Sequence, residues 1–153
     1  MGFDSYLQGE YILSDEEKKK YIGKNVPFYR SSWEKRLMYY FCKNKNVLKW
    51  SNESVVIPYI SPVDGKVHRY FVDFYCEILT NNGVKKFLVE VKPLKQTQLP
   101  VKPKNKNQKA YKRYMAESVT FLVNQSKWKY AEEYCKKRGI EFIVFTERDL
   151  FNE

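Results

Sequence analysis

Apolar and polar positions alternate through two neighbouring stretches near the middle of the chain. Phe74, Cys76 and Ile78 recur at every second residue, and Phe87, Val89 and Val91 do the same beyond Asn81-Asn82-Gly83. Alternate residues of a strand share a face, so the pattern predicts strands over residues 67–79 and 84–92. Asn82-Gly83 between them is a strong two-residue hairpin signal. With those residues as the turn, Asn81 pairs with Val84. Phe74 then meets Val91, Cys76 meets Val89 and Ile78 meets Phe87, which makes one continuous apolar face. The opposite, wet face carries Asp73 against Lys92, with Glu90 on the diagonal.

Other patterns flank this hairpin. Ser14-Asp15-Glu16-Glu17 has capping-box spacing and opens a short helix over residues 15–21, which Gly23 ends. The aromatic residues Phe3, Tyr6 and Tyr11 pack either on the core or on a partner. Ser31 and Glu34 have the same capping spacing, and a helix runs from there to about Lys43. Its apolar stripe is Trp33, Leu37, Tyr40 and Phe41, with Glu34 beside it. Val47 to Trp50 is a short extended piece. Val55 to Tyr59 is a β-branched strand, and Pro58 marks its end or an edge. Pro62 to Gly65 is a tight turn. Helical composition runs from about Asn107 to Thr120. Residues 119–123 read as helix or strand, and residues 126–138 form a helix with Trp128, Ala131, Tyr134 and Cys135 on one face. Gly139 ends it, Ile140 to Phe145 is a buried strand, and Thr146 to Asp149 caps a last turn. The fold class is α/β: helix, three strands, a helical region and a further strand.

Composition narrows the function. A chain of 153 residues with 43% hydrophobic and 17% aromatic content supports one folded domain. The net charge of +10 favours a polyanion, nucleic acid first and an anionic membrane surface second. No apolar run reaches the roughly 20 residues of a membrane span. The N-terminus has neither a secretory signal pattern nor a complete myristoylation motif, since Tyr6 stands where Ser or Thr belongs. Cys42, Cys76 and Cys135 are widely spaced and read as reduced, intracellular and mostly buried. They do not form a zinc site.

The candidate chemistry sits on the central hairpin. Asp73 and Glu90 are hard oxygen donors of the kind a Mg²⁺-dependent phosphodiesterase needs, and Lys92 is a cation beside them. Glu-x-Lys alone is common, and the hairpin also reads as a surface ribbon carrying one ion pair. Glu34 reads as a helix cap, as a carboxylate aimed at the same site, or as both. His68 reads as a surface or partner-facing residue. From Lys92 to Arg113 the chain is basic and holds no acidic residue, with Pro93, Pro100 and Pro103 keeping its first half extended. It reads as a solvated loop or as a track leading a phosphate backbone to the hairpin.

The order of elements, with Glu on the first helix, Asp on a middle strand and Glu-x-Lys on the next, resembles the PD-(D/E)xK nuclease superfamily. The likeness sharpens at Tyr29-Arg30-Ser31-Ser32-Trp33-Glu34, Val55-Val56-Ile57-Pro58-Tyr59, Arg69-Tyr70-Phe71-Val72-Asp73-Phe74, Leu88-Val89-Glu90-Val91-Lys92-Pro93, Asn124-Gln125-Ser126-Lys127-Trp128 and Phe145-Thr146-Glu147. These are similar to the head completion nuclease family of T-even-like tailed phages and, more distantly, to the TnsA transposon-end endonucleases. Val72 departs from the superfamily, which usually has Pro before the Asp. The resemblance implies a restriction-endonuclease-like core, αβββαβ, with a mixed central sheet flanked by helices. It sets residues 29–153 as the nuclease domain and residues 1–28 as an N-terminal extension.

By this resemblance Asp73, Glu90 and the Val91 carbonyl would hold Mg²⁺, with Mn²⁺ able to stand in. Lys92 would orient the attacking water, and Glu34 would complete the catalytic set. DNA would be the substrate, held by Arg30, Lys95, Lys102, Lys104, Lys106, Lys109 and Lys127. Phage head or neck proteins would be partners, in the host cytoplasm or on the virion. The alternatives are a structural head–tail joining protein with an inactive nuclease fold, a TnsA-like or restriction-type endonuclease that needs a targeting partner, and a basic nucleic-acid-binding module.

Overall fold

The computed structural model describes residues 7–105 and 107–151. Its centre is a four-stranded mixed sheet of β3 (Val47–Asn52), β6 (Phe74–Thr80), β7 (Gly83–Val91) and β8 (Ile140–Phe145), in that order. The first three strands run antiparallel, and β8 joins β7 in parallel. A parallel neighbour needs a crossover, and the long helix α2 (Gln108–Arg138) supplies it. A separate antiparallel ribbon, β4 (Val56–Ile60) with β5 (Val67–Phe71), packs against α2. The sheet carries apolar side chains on both faces and is covered on both, the α/β sandwich the sequence predicts.

One face packs on α1 (Ser32–Lys43). Trp33, Leu37, Met38 and Phe41 meet Val47, Trp50, Phe74, Cys76, Val89 and Val91 there. The expected stripe is right at three places and wrong at one: Tyr40 is exposed, and Met38 and Cys42 are buried instead. The other face is not wet. Leu88 and Tyr75 lie under Trp128, Ala131 and Cys135 of α2. Each large side chain buried in this way contributes on the order of 1.5–3 kcal/mol. All three cysteines are buried and free.

Three local expectations change. The strand expected over residues 67–79 is two strands, because the chain bends at Val72-Asp73 and passes from the ribbon into the sheet. The hairpin register is shifted by two residues: Phe74 pairs with Val89, Cys76 with Phe87 and Thr80 with Gly83. Gly83 adopts φ 99°, so glycine supplies the positive-φ residue at the end of the turn rather than the second residue of a two-residue loop. Residues 108–138 form one uninterrupted helix of 31 residues, including the ambiguous 119–123. Its C-cap is Gly139 at φ 67°.

The N-terminal segment is sewn to this core. β1 (Gly9–Glu10) pairs with β2 (Phe28–Tyr29). The Ser14/Glu17 capping box forms, but it opens only a single 3-10 turn over Glu17–Lys19. Tyr11, Leu13 and Tyr21 pack on the first cluster, whereas Phe3 and Tyr6 lie outside the described residues. Lys20 Nζ donates to the carbonyls of Phe41 (3.2 Å), Cys42 (3.4 Å) and Asn44 (2.7 Å), so its cation closes the negative end of α1. At the other end of the chain, α3 (Glu147–Phe151) is capped through Thr146 and Asp149.

Candidate active site

Asp73 stands at the bend between β5 and β6, and its main chain is held from behind. Its carbonyl accepts from Glu53 N (2.9 Å) and from Asn52 Nδ2 (3.1 Å). Asn52 is fully buried, and its Oδ1 accepts from Phe28 N at 2.8 Å, so one amide joins the N-terminal segment to the acidic residue. The Asp73 side chain turns toward β7, where Oδ2 accepts from Val91 N at 2.8 Å. The expected partner across the hairpin was Lys92. With the observed register carried on by one residue, Asp73 stands opposite Glu90 instead. A shift of two preserves the faces, so the same three side chains still gather.

Glu90 is 4% exposed near the end of β7. Lys92 Nζ lies 3.8 Å from Glu90 Oε2, and the Lys92 N–H donates to Phe145 O at 2.9 Å, which pins the segment after β7 to the end of β8. Glu34 enters from α1 and is 6% exposed. Ser31 Oγ accepts from Glu34 N (3.2 Å) and donates to Glu34 Oε2 (3.1 Å), so Glu34 takes part in the helix cap. Its carboxyl also feels the charge of Asp73. The capping reading of Glu34 is met, and the same carboxyl lies within electrostatic reach of Asp73.

The electrostatics are those of crowded, desolvated carboxylates. Burial, and then the charge of Asp73, push the Glu34 carboxyl up to about 8. Burial and then Glu90 raise Asp73 well above the usual carboxylate range. Burial raises Glu90 as well, while Lys92 and then its neighbours Asp73 and Tyr70 pull it back. Such a set ionises fully only when a cation joins it. The donor set fits a hard cation: Glu34 Oε1 and Glu90 Oε1 are both buried without a hydrogen-bond partner. Among the described residues no three His, Cys, Asp or Glu side chains close on one point. A cation held by Asp73 and Glu90 would therefore draw further oxygen from the Val91 carbonyl and from water.

A wall from the other face completes the site. Tyr70, Asn124 and Trp128 are buried, and the Tyr70 hydroxyl, Asn124 Nδ2 and Trp128 Nε1 have no hydrogen-bond partner. Tyr70 lies close enough to Glu90 for the two to perturb one another, and the Tyr70 hydroxyl is pushed far up by burial and then by that charge. Lys127 Nζ sits over the rings of Tyr59 (5.7 Å) and Tyr70 (5.5 Å). Burial and then Lys92 lower its proton affinity, and Glu90 and Asp73 oppose them. Sequence reasoning put Trp128 on the packed face of its helix and gave Tyr70, Asn124 and Trp128 no role in the site. The available signal was the i, i+3, i+4 spacing of Asn124, Lys127 and Trp128, which puts them on one helix face.

The expected DNA-contacting cations are spread widely. Arg30 is held bidentate by Glu53, at 2.8 and 3.3 Å. Glu53 itself has a φ of 52°, a left-handed conformation uncommon outside glycine. Lys95 is exposed and 3.7 Å from Glu117. Lys102, Lys104 and Lys109 are exposed, and Lys106 lies outside the described residues. Along α2, Lys109 is roughly 27 Å from Lys127 at 1.5 Å per residue. Lys127, like Lys92, acts on both Asp73 and Glu90, and Arg30 acts on Asp73 and Glu34. His68 pairs with Asp64 at 2.8 Å on the ribbon and takes no part in the cluster.

Residues 44–147 match the family described as TnsA-like endonuclease N terminal. The chain is similar to the head completion nuclease of Enterobacteria phage T4, with 42% identity over 142 residues, which is 93% of this chain and 92% of the relative. No solved structure matches it.

Proposed function

This chain belongs to the TnsA-like endonuclease N-terminal family, and on that premise we propose that it is a divalent-metal-dependent DNA nuclease acting in phage head completion, before head and tail join. The observation that carries the reading is the convergence of Asp73, Glu90, Lys92 and Glu34 from three separate elements. The phage relative's name supports the biological setting.

Asp73, Glu90 and the Val91 carbonyl would hold Mg²⁺, or Mn²⁺ in its place. When bound, the ion supplies charge neutralisation at the phosphate and a more acidic water. The chain's own residues do the rest. Val91 N–H fixes the Asp73 carboxylate. Lys92, held beside Glu90, directs its ammonium to the phosphoryl oxygens or the attacking water. Glu34, capped by Ser31, is a proton-holding carboxyl at the edge of the cluster. Arg30, Lys95, Lys102, Lys104, Lys109 and Lys127 would meet the DNA backbone, together with Lys106. Phage head or neck proteins are the corresponding partners, in the host cytoplasm or on the virion. Among the described residues no helix is long and apolar enough to cross a membrane.

The test is supercoiled plasmid cleavage with Mg²⁺ and with EDTA. Cleavage that requires the metal, and that Lys92→Ala slows by on the order of a hundredfold, is the expected result. An inert wild type that still binds DNA with steep salt dependence would overturn the enzyme and leave a structural role at the head–tail joint.

A further inference from the structure

Three cations border the carboxylate cluster, and they are not equivalent. Arg30 is bound to Glu53. Lys92 lies against Glu90. Lys127 is half-buried and, among the described residues, has neither a hydrogen bond nor an ion pair; its contacts are the faces of Tyr59 and Tyr70. An ammonium that has left part of its water shell without gaining an acceptor is poorly satisfied, and two aromatic faces return only about 0.5–2 kcal/mol. What it lacks is an anion.

The surroundings say where that anion lies. Lys127 is within electrostatic reach of Asp73, Glu90 and Lys92 at once. It approaches from α2, whereas Lys92 follows β7, so the two ammonium groups flank the carboxylates from different elements. The aromatic seat is itself fixed: Tyr59 and Tyr70 are buried on the paired strands β4 and β5, and their rings meet edge to face at 6.5 Å. A cation seated in this way is preorganised, which is the condition under which a charged group stabilises charge developing in a transition state.

We propose that Lys127 is a catalytic residue: its ammonium takes a non-bridging oxygen of the DNA phosphate held at Asp73 and Glu90, across the site from Lys92. The inference rests on the nuclease reading above and deepens it. It separates Lys127 from Lys95, Lys102, Lys104 and Lys109, which are exposed. The Lys127 ammonium lies over the two tyrosine rings, and methionine at that position keeps a side chain of similar length and removes the charge.

The experiment compares Lys127→Met, Lys127→Gln, Lys127→Arg and Lys102→Met with wild type. Single-turnover plasmid cleavage is measured in Mg²⁺ at saturating protein, duplex affinity is measured in EDTA, and each variant's melting temperature is recorded. Lys127→Met and Lys127→Gln are expected to slow cleavage by on the order of a hundredfold while duplex affinity falls less than about threefold. Lys127→Arg should recover part of the rate, and Lys102→Met should lose affinity. A role in packing alone would not divide rate from affinity in this way. If wild type cuts and folded Lys127→Met and Lys127→Gln cut at nearly its rate, the assignment is overturned and the nuclease reading stands. If wild type does not cut in Mg²⁺ or Mn²⁺, the nuclease reading fails and takes the assignment with it.

Discussion

The Asp73 carboxylate accepts the backbone N–H of Val91 at 2.8 Å. This bond fastens the bend before β6 to the end of β7. An amide at position 73 can still accept through its oxygen. Asp73→Asn should therefore fold, lose more than about a hundredfold of its cleavage rate, and melt higher than wild type when no divalent cation is present. The stability gain, on the order of 1 kcal/mol, reflects relief from the neighbouring carboxylates. Plasmid nicking and thermal unfolding in EDTA report the two effects.

Without divalent cations, stability should fall as pH rises. Glu34 is pushed up to about 8 in the folded chain, against an ordinary value of 4.5. Below 4.5 it is protonated both folded and unfolded. Between 4.5 and 8 the unfolded chain releases a proton that the folded chain retains, so folding weakens through that window, by a few kcal/mol at most. Asp73 and Glu90 are raised too and act in the same direction. Urea unfolding from pH 5 to 9 should show the slope, and Glu34→Gln should flatten it. Mg²⁺ should flatten it in wild type.

Lys92→Ala should differ from a surface change. Its ammonium is the neighbouring positive charge that most favours ionisation of the buried Glu90. Removing it costs cleavage on the order of a hundredfold. It should also deepen the pH-dependent loss of stability and carry it to higher pH, because without Lys92 the folded chain holds the Glu90 proton to higher pH while the unfolded chain releases it as before. A wild-type unfolding profile for the variant across pH would refute this coupling.

Lys20→Met tests how the N-terminal segment contributes. Three carbonyls at the end of α1 lose their donor. The expected cost is about 1–2 kcal/mol, read as a lower urea midpoint, while cleavage per folded molecule is unchanged. A shift in metal requirement instead would mean that the segment acts on the site directly.

The site was legible in the sequence for a reason of parity. Taking Asn82-Gly83 as a two-residue loop misplaced the register by two, yet Phe74, Cys76, Val89 and Val91 still fell on one face and Asp73, Glu90 and Lys92 on the other. An error of one would have scattered them. The break at Val72-Asp73 was not legible, because the alternation continues through it while the pairing partner changes from β4 to β3 and β7. Nor did the alternation show the roof over the second face, which only the family resemblance implied. Leu88 and Tyr75 hinted at it, but only the path of α2 brings Trp128 onto them. The ambiguity at residues 119–123 was local: β-branched residues inside a long helix look like strand until the flanking turns are seen.

α2 extends about 46 Å at 1.5 Å per residue, and only part of that length lies over the sheet. Its outer half carries Lys109, Lys112 and Arg113, and its inner half carries Asn124, Lys127 and Trp128. A continuous helix is stiff against bending, so the two halves form one lever with its fulcrum on the sheet. A grip on the outer turns, by nucleic acid or by another protein, is felt as tilt at the inner ones. How firmly the outer turns are held and how Asn124, Lys127 and Trp128 are set against the sheet thus become a single mechanical variable.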